Sequence, residues 1–400
     1  MERESRARPH LRATRAIGAV VALTVAFVLF SAGAASAASG PNAAKRIDRI
    51  VAQASEKYEL PSTIYGVWKK GRPITTGAIG EAQRGVPATL ADHFKIGNIG
   101  ESMTVTLLLQ YVDEGLVSLD DPISTWFPNM CLPATCNPEE VTVGMLARST
   151  SGFVHYAAAA DFAEALYANP FRRWKMSEVM SYGLDRPPVF APGTSWGFSD
   201  TNFLMLGRIL QKIGGEPVPK LLRKEIFDPL GLDETSMRGD SVTPAPVMHA
   251  FSNERGVYED VTGWSLNWIR GAGNVISTLG DLGKWAQALG TGSLISPQLH
   301  ELQVGDENVG LGTNTEDFHY AMGSGVSNGW IYNNPHIMGY KGVLSYLPAK
   351  DIAIVIETTD GPDGDANTRY DAPIFNRIAK VVAPGEAPPR PCLHAPCPTG

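Results

Sequence analysis

The chain has 400 residues, 34 Lys and Arg against 41 Asp and Glu for a formal net charge of -7, and only four cysteines. No Lys/Arg cluster interleaved with aromatics follows the first residues, which excludes a dedicated nucleic-acid binder. No segment past Phe30 is continuously apolar for long enough to cross a bilayer.

At the N-terminus, Arg3, Arg6, Arg8, Arg12 and Arg15 precede an apolar run from Ile17 to Phe30 and then SAGAASA. A basic region, an apolar region and a small-residue ending make residues 1–37 a secretory signal peptide, so the mature protein is expected outside the cell. The apolar run is just long enough to span a membrane, but its Ala/Gly/Ser ending favours cleavage over anchoring, and no stable membrane insertion is expected afterwards. About 360 residues remain, enough for one large domain or two interleaved lobes.

Residues 43–58 read as an amphipathic helix, with Ile47, Ile50, Val51 and Ala54 at helical spacing. Residues 62–68 and 73–79 flank KKGR as a pair of strands with Gly71 in the turn. At the far end, IAIVIETT over 352–359 has the β-branched, apolar character of a central strand, and 372–382 closes with a helix. A sheet drawing strands from both ends of the chain is therefore expected, with the helical middle as a second lobe. The domain spans 38–383, and the Pro-rich tail 384–400 reads as an extended appendage. Cys131 with Cys136 and Cys392 with Cys397 sit at short spacing. In an exported chain this favours two local disulfides, among the three connectivities possible, over a zinc site for which no histidine pair is present.

Six segments in the middle and end of the chain carry chemistry: FKIGNIGESMT, LLLQYVDEGLVSLDDPISTWFP, VTVGMLARSTSGF, FAPGTSWGFSDTNFLMLGRIL, GAGNVISTLGDLGKWAQAL and MGYKGVLSYLP. In content and order they resemble the serine β-lactamase and penicillin-binding-protein-like hydrolases, the branch of class C β-lactamases, D-alanyl-D-alanine carboxypeptidases and esterases. The resemblance implies an α/β (α+β) β-lactamase-like fold, an antiparallel sheet with flanking helices plus an all-helical lobe, with the active-site cleft between them.

The departures fall on the motif residues. Where the family carries S-x-x-K, with the lysine one turn after the nucleophilic serine, this chain has Asn98 and Glu101. Where the family has Tyr-x-Asn or Ser-x-Asn, it has Phe198, Ser199 and Asp200, and the Lys-Thr-Gly or His-x-Gly motif becomes Tyr340, Lys341 and Gly342. The resemblance implies that Asn98, Glu101, Asp200, Tyr340 and Lys341 converge. Two carboxyl groups close together in a cleft split their affinities for protons, one serving as acid and the other as base.

The expected site is thus Glu101 with Asp200 or Tyr340 for proton transfer and Asn98 for orientation, with Lys341, Phe198, Ser199 and Trp264 contacting substrate. Plainer roles stand beside these: Glu101 complementing a helix dipole, Asp200 capping the following helix, Phe198 as packing. Ser102 and Ser199 are rival nucleophiles, although Ser102, one position on from Glu101, turns about 100° away from the pocket. Ser149 to Gly152 reads as a turn. His155 and His336 are loop residues near the cleft, and Trp264, Trp268, Trp330 and Tyr332 are candidates for its rim, half of them core. The apolar positions from Met103 to Leu109 are core. No metal and no dinucleotide cofactor are expected, because neither ligand spacing nor a glycine-rich loop after a strand occurs. Three functions follow: an exported carboxylate acid/base enzyme acting on a small molecule or peptide, a non-catalytic binder of peptidoglycan fragments or D-amino-acid peptides, or a hydrolase with a recruited serine.

Overall fold

The computed structural model describes residues 41–128, 130, 137–238, 242–271, 273–364 and 369–388. The leader, all four cysteines with their expected disulfides, and the tail beyond residue 388 lie outside the described residues. Near the N-terminus, the helix Pro41–Lys57 leads into strands Ser62–Lys69 and Arg72–Gln83; the final strand is Ile352–Thr359 and the closing helix Asp371–Val382. These are the elements expected from the sequence, each within two residues at its start.

The sheet joins the two chain ends directly. Ser62–Lys69 lies antiparallel between Arg72–Gln83 and Ile352–Thr359, with Val67 opposite Ile354. Ile352–Thr359 pairs in turn with Tyr340–Leu347, beyond which lie Trp330–Asn333, Gly325–Ser327 and His319–Tyr320. Alternation along the strands separates two cores. Tyr65, Val67, Val343, Ile354 and Ile356 face the terminal helices through Ile47, Val51, Ile374 and Phe375. Ile64, Leu344, Ala353 and Val355 face the larger core of the helical lobe.

That lobe is built on the helix Ile99–Asp113, whose residues are buried from Ile99 through Leu109. A helix buried on every side, here with Glu101, Ser102, Thr104 and Thr106 among its apolar residues, is surrounded by other elements. It packs with the helix Asp200–Gly214, which Gly215 ends in the left-handed region at φ 71°. The lobe also carries short strands: Phe94–Lys95, Val275–Ser277 and Ser236–Met237 form a small antiparallel sheet.

Two features of the sheet bear on the site. Strand Tyr340–Leu347 is entered through a tight hairpin, in which His336 pairs with Lys341 and Ile337 with Tyr340. The two connecting residues, Met338 (φ 47°) and Gly339 (φ 74°), both take positive φ, as such two-residue turns require. Further on, Gly342 lies opposite Glu357. A Cβ at Gly342 would fall 2.1 Å from Glu357 Oε2 and 2.5 Å from the Ile356 carbonyl oxygen. Gly342→Ala is therefore expected to destabilise the fold by about 1–3 kcal/mol, the usual cost of overpacking, read as a lower midpoint in urea unfolding.

Candidate active site

A cleft of about 560 Å³ opens between the sheet end and the helical lobe. Its floor includes Asn98 at the start of the central helix, Phe198 and Asp200 at the start of the second helix, and His155; the hairpin segment around His336 and Ile337 forms one wall and Trp268 another. Among the described residues that line it there is no serine, threonine, cysteine or lysine.

Glu101 and Asp200 come together here. Glu101, one turn into its helix, is 1 % exposed, and Asp200, first residue of its own helix, is 5 % exposed. Burial, then the charge of Asp200, then a hydrogen bond to the Asp200 carboxyl push Glu101 well above its ordinary range, opposed by a hydrogen bond from Tyr320. A carboxyl–carboxyl hydrogen bond requires a proton on one member, and the shift assigns it to Glu101. No donor among the described residues reaches Glu101 Oε1. Tyr320 Oη donates to Glu101 Oε2 at 3.4 Å, and burial beside the two carboxyls keeps that phenol protonated by raising it well above 10. The Asp200 backbone N–H donates to His155 Nδ1 at 3.2 Å, which places the ring proton on Nε2.

Asn98 is the N-cap residue of its helix but makes no side-chain cap, and its buried Oδ1 has no hydrogen-bond partner among the described residues. Phe198 lines the cleft, edge-on to His155 at 5.2 Å and to Tyr320 at 6.3 Å. Asn98, Phe198 and Asp200 thus line the cleft with His155 and His336, and Glu101 lies behind Asp200.

The remaining expected site residues do not join them. Tyr340 is fully buried, donating its hydroxyl to the Met248 carbonyl at 2.6 Å, and Lys341, on the opposite face of the same strand, pairs with Asp360 at 2.8 Å. The pleat separates neighbouring side chains, and the hairpin residues His336 and Ile337 take the place at the cleft wall. Ser199 donates to the Val154 carbonyl at 3.0 Å and Ser102 to the Ile99 carbonyl at 2.6 Å, so neither hydroxyl is presented to the cleft or to a base. Trp264 is core; its carbonyl accepts from the buried Lys95, which burial lowers to about 7. Trp330 and Tyr332 are core as well, whereas Trp268 lines the cleft. The segment from Ser149 (φ 56°) to Gly152 (φ 82°) is a buried turn, in which Ser151 Oγ donates to Asn202 Oδ1 at 2.5 Å.

Sequence reasoning missed Tyr320, Tyr156, Asn334, Glu254 and Arg369. Tyr156, buried beneath the carboxyl pair, donates to the Trp268 carbonyl at 3.1 Å and feels the charge of both acids. Glu254, Asn334 and Arg369 line the far end of the cleft, where Arg369 bonds Asp371 at 2.6 Å and the Asn334 carbonyl at 3.1 Å. No local spacing marks them, because they arrive from loops far apart in sequence.

This geometry belongs to a hydrolase fold whose cleft lies at a sheet end beside a buried helix start, and the family profile described as Beta-lactamase matches residues 47–374. The chain belongs to the β-lactamase family. D-alanyl-D-alanine-carboxypeptidase/endopeptidase AmpH of Escherichia coli strain K12 is 26 % identical over 291 residues, covering 67 % of this chain and 71 % of that protein. The putative penicillin-binding protein PbpX of Bacillus subtilis is 23 % identical over 292 residues, covering 72 % and 68 %. Among solved structures, a D-stereospecific amidohydrolase from Streptomyces sp. superposes with a TM-score of 0.74 at 22 % identity, over 85 % of this chain and 98 % of that one. A D-amino acid amidase from Ochrobactrum anthropi SV3 gives 0.70 at 20 % identity, over 85 % and 98 %.

Proposed function

We propose that this chain is an exported enzyme that acts on a small molecule through carboxyl acid/base chemistry at Asp200 and Glu101, with no covalent intermediate on serine. The observation that carries the reading is the carboxyl pair itself, hydrogen-bonded in a cleft whose described lining offers no serine, threonine, cysteine or lysine. Export rests on the signal-like leader. The names of the relatives, a carboxypeptidase, an amidohydrolase and an amidase, favour cleavage of an amide; isomerisation, cyclisation and elimination draw on the same proton transfers.

For an amide, Asp200 takes a proton from a water molecule as its oxygen bonds to the carbonyl carbon. The same proton passes to the leaving nitrogen as the C–N bond breaks, so the pair ends as it began. Glu101 donates to Asp200 with a proton that draws toward Asp200 as Asp200 gives up its own and back as Asp200 takes one, a response that an amide cannot match, and Tyr320 holds Glu101. Proton transfer by positioned groups of this kind contributes about 10² to 10⁴ in rate. Asn98 Oδ1, unpartnered at the helix start, orients an N–H of the substrate.

The test is intact-mass spectrometry of the secreted protein before and after incubation with a penicillin and with a fluorophosphonate. No adduct is expected. An adduct that disappears in Ser199→Ala or Ser102→Ala would overturn the reading in favour of a recruited serine. A binding protein is the second reading, favoured by one observation: Glu101, 1 % exposed, meets the cleft only through Asp200. Saturable binding without product across a substrate panel would decide for it.

A further inference from the structure

The described cleft is rich in acceptors that lack donors. Asn334 is 2 % exposed and lines it, and its Oδ1 has no hydrogen-bond partner among the described residues. Asn98 Oδ1, also in the lining, is buried and unpartnered in the same way, as is Glu254 Oε2, although the Tyr167 hydroxyl beside it hydrogen-bonds the Glu254 carboxyl. Asp200 adds a carboxyl group with 8 % of its side chain exposed. Buried oxygens are nearly always hydrogen-bonded in a working protein, so several left open around one cavity point to a ligand that brings the hydrogens.

The charges agree. Arg369 lines the cleft, but Asp371 matches its guanidinium at 2.6 Å. Lys341, which the family resemblance placed in the site, is spent on Asp360 on the other face of its strand. Asp200 has His155 Nδ1 at 3.7 Å, an ion pair only when that imidazole is protonated, and among the described lining residues the one permanent cation is the paired Arg369.

From this arrangement we infer that the cleft takes a small organic cation, an amine on an apolar body, with its ammonium between Asp200 and Asn98 and any further N–H group on Asn334 or Glu254. Phe198, Trp268, Ile337 and Met338 supply the apolar walls for the body. The inference deepens the proposed function by naming the substrate class. It rests on that reading only in taking this cleft as the functional site.

Calorimetric titration of the mature protein at neutral pH with phenethylamine, phenylacetamide and phenylacetate tests it, since the three probes share an aromatic body and differ in charge. Phenethylamine is expected to bind about ten- to hundredfold more tightly than either of the others, the range of a charge-assisted hydrogen bond. Asp200→Asn should remove about tenfold of that preference, with the circular-dichroism spectrum and melting temperature reporting that the variant is folded. Equal or tighter binding of phenylacetamide or phenylacetate to the unaltered protein, or no saturation by any probe, would overturn the inference. Amine binding without turnover of any amine-bearing substrate would leave it standing and sink the acid/base reading. Turnover with no preference for a cation would do the reverse.

Discussion

Glu101→Gln is expected to lower turnover by about 10²- to 10⁴-fold while leaving the fold intact. Glutamine is close to isosteric with the protonated acid, and its amide N–H can donate to the Asp200 carboxyl as Glu101 does. What the variant loses is the exchangeable proton. Steady-state rates on any substrate found by screening would read the loss; unchanged turnover would show that Glu101 only holds Asp200 in place. Stability carries a second signature. The folded-state value of Glu101 is raised above the ordinary 4.5, so its contribution is complete below that point and is lost as pH rises toward the folded value, by about 1.4 kcal/mol for each unit of pH between the two. The glutamine amide has no such proton to lose. The melting temperature of the variant should gain on that of the parent as pH rises above about 5, and Glu357→Gln, at a second buried and raised carboxyl, should do likewise.

Removing Lys341 should be the costliest single change in the sheet. Its ammonium is fully buried against Asp360 at 2.8 Å and lies 5.0 Å from the centre of the Tyr370 ring. Burial raises Asp360 to about 6 even with Lys341 beside it. Lys341→Met strips away the partner and leaves a buried acid, a loss on the order of 3–5 kcal/mol in denaturant unfolding. A companion replacement, Asp360→Asn, should recover a large part of it. If the single variant were as stable as the parent, the pair would have no structural role, and Lys341 would have to be reconsidered as a ligand-facing cation.

The contrast between Lys341 and Glu101 marks where the sequence is informative. Helical spacing is rigid, so one frame comparison places Glu101 a turn beyond Asn98 and turns Ser102 away, and the structure places both accordingly. The terminal strands and helices are equally legible, because IAIVIETT and the spacing of Ile47, Val51 and Ala54 carry their periods openly. Tyr340 and Lys341 lie on a strand, where adjacent residues part to opposite faces, so at most one of them can face any one cavity. The carboxyl pair's supporting phenol, Tyr320, comes from a two-residue strand too short to show a period. Asn334, Glu254 and Arg369 reach the cleft only through tertiary folding, which local spacing does not encode.

The hairpin at Met338 and Gly339 has a consequence for how a ligand is read. It lays His336 and Ile337 along the first residues of the Tyr340–Leu347 strand, and the Gly342 N–H is taken up by the Pro335 carbonyl at 3.2 Å. Trp330–Asn333 occupies the strand from Leu344 to Tyr346. An extended peptide that docks by β-augmentation needs a bare row of backbone groups, and this stretch of the strand keeps its own row engaged by neighbouring chain. Recognition then falls to side chains projecting into a compact chamber, a mode that measures a molecule's outline and charge and takes little account of the length of any chain attached to it.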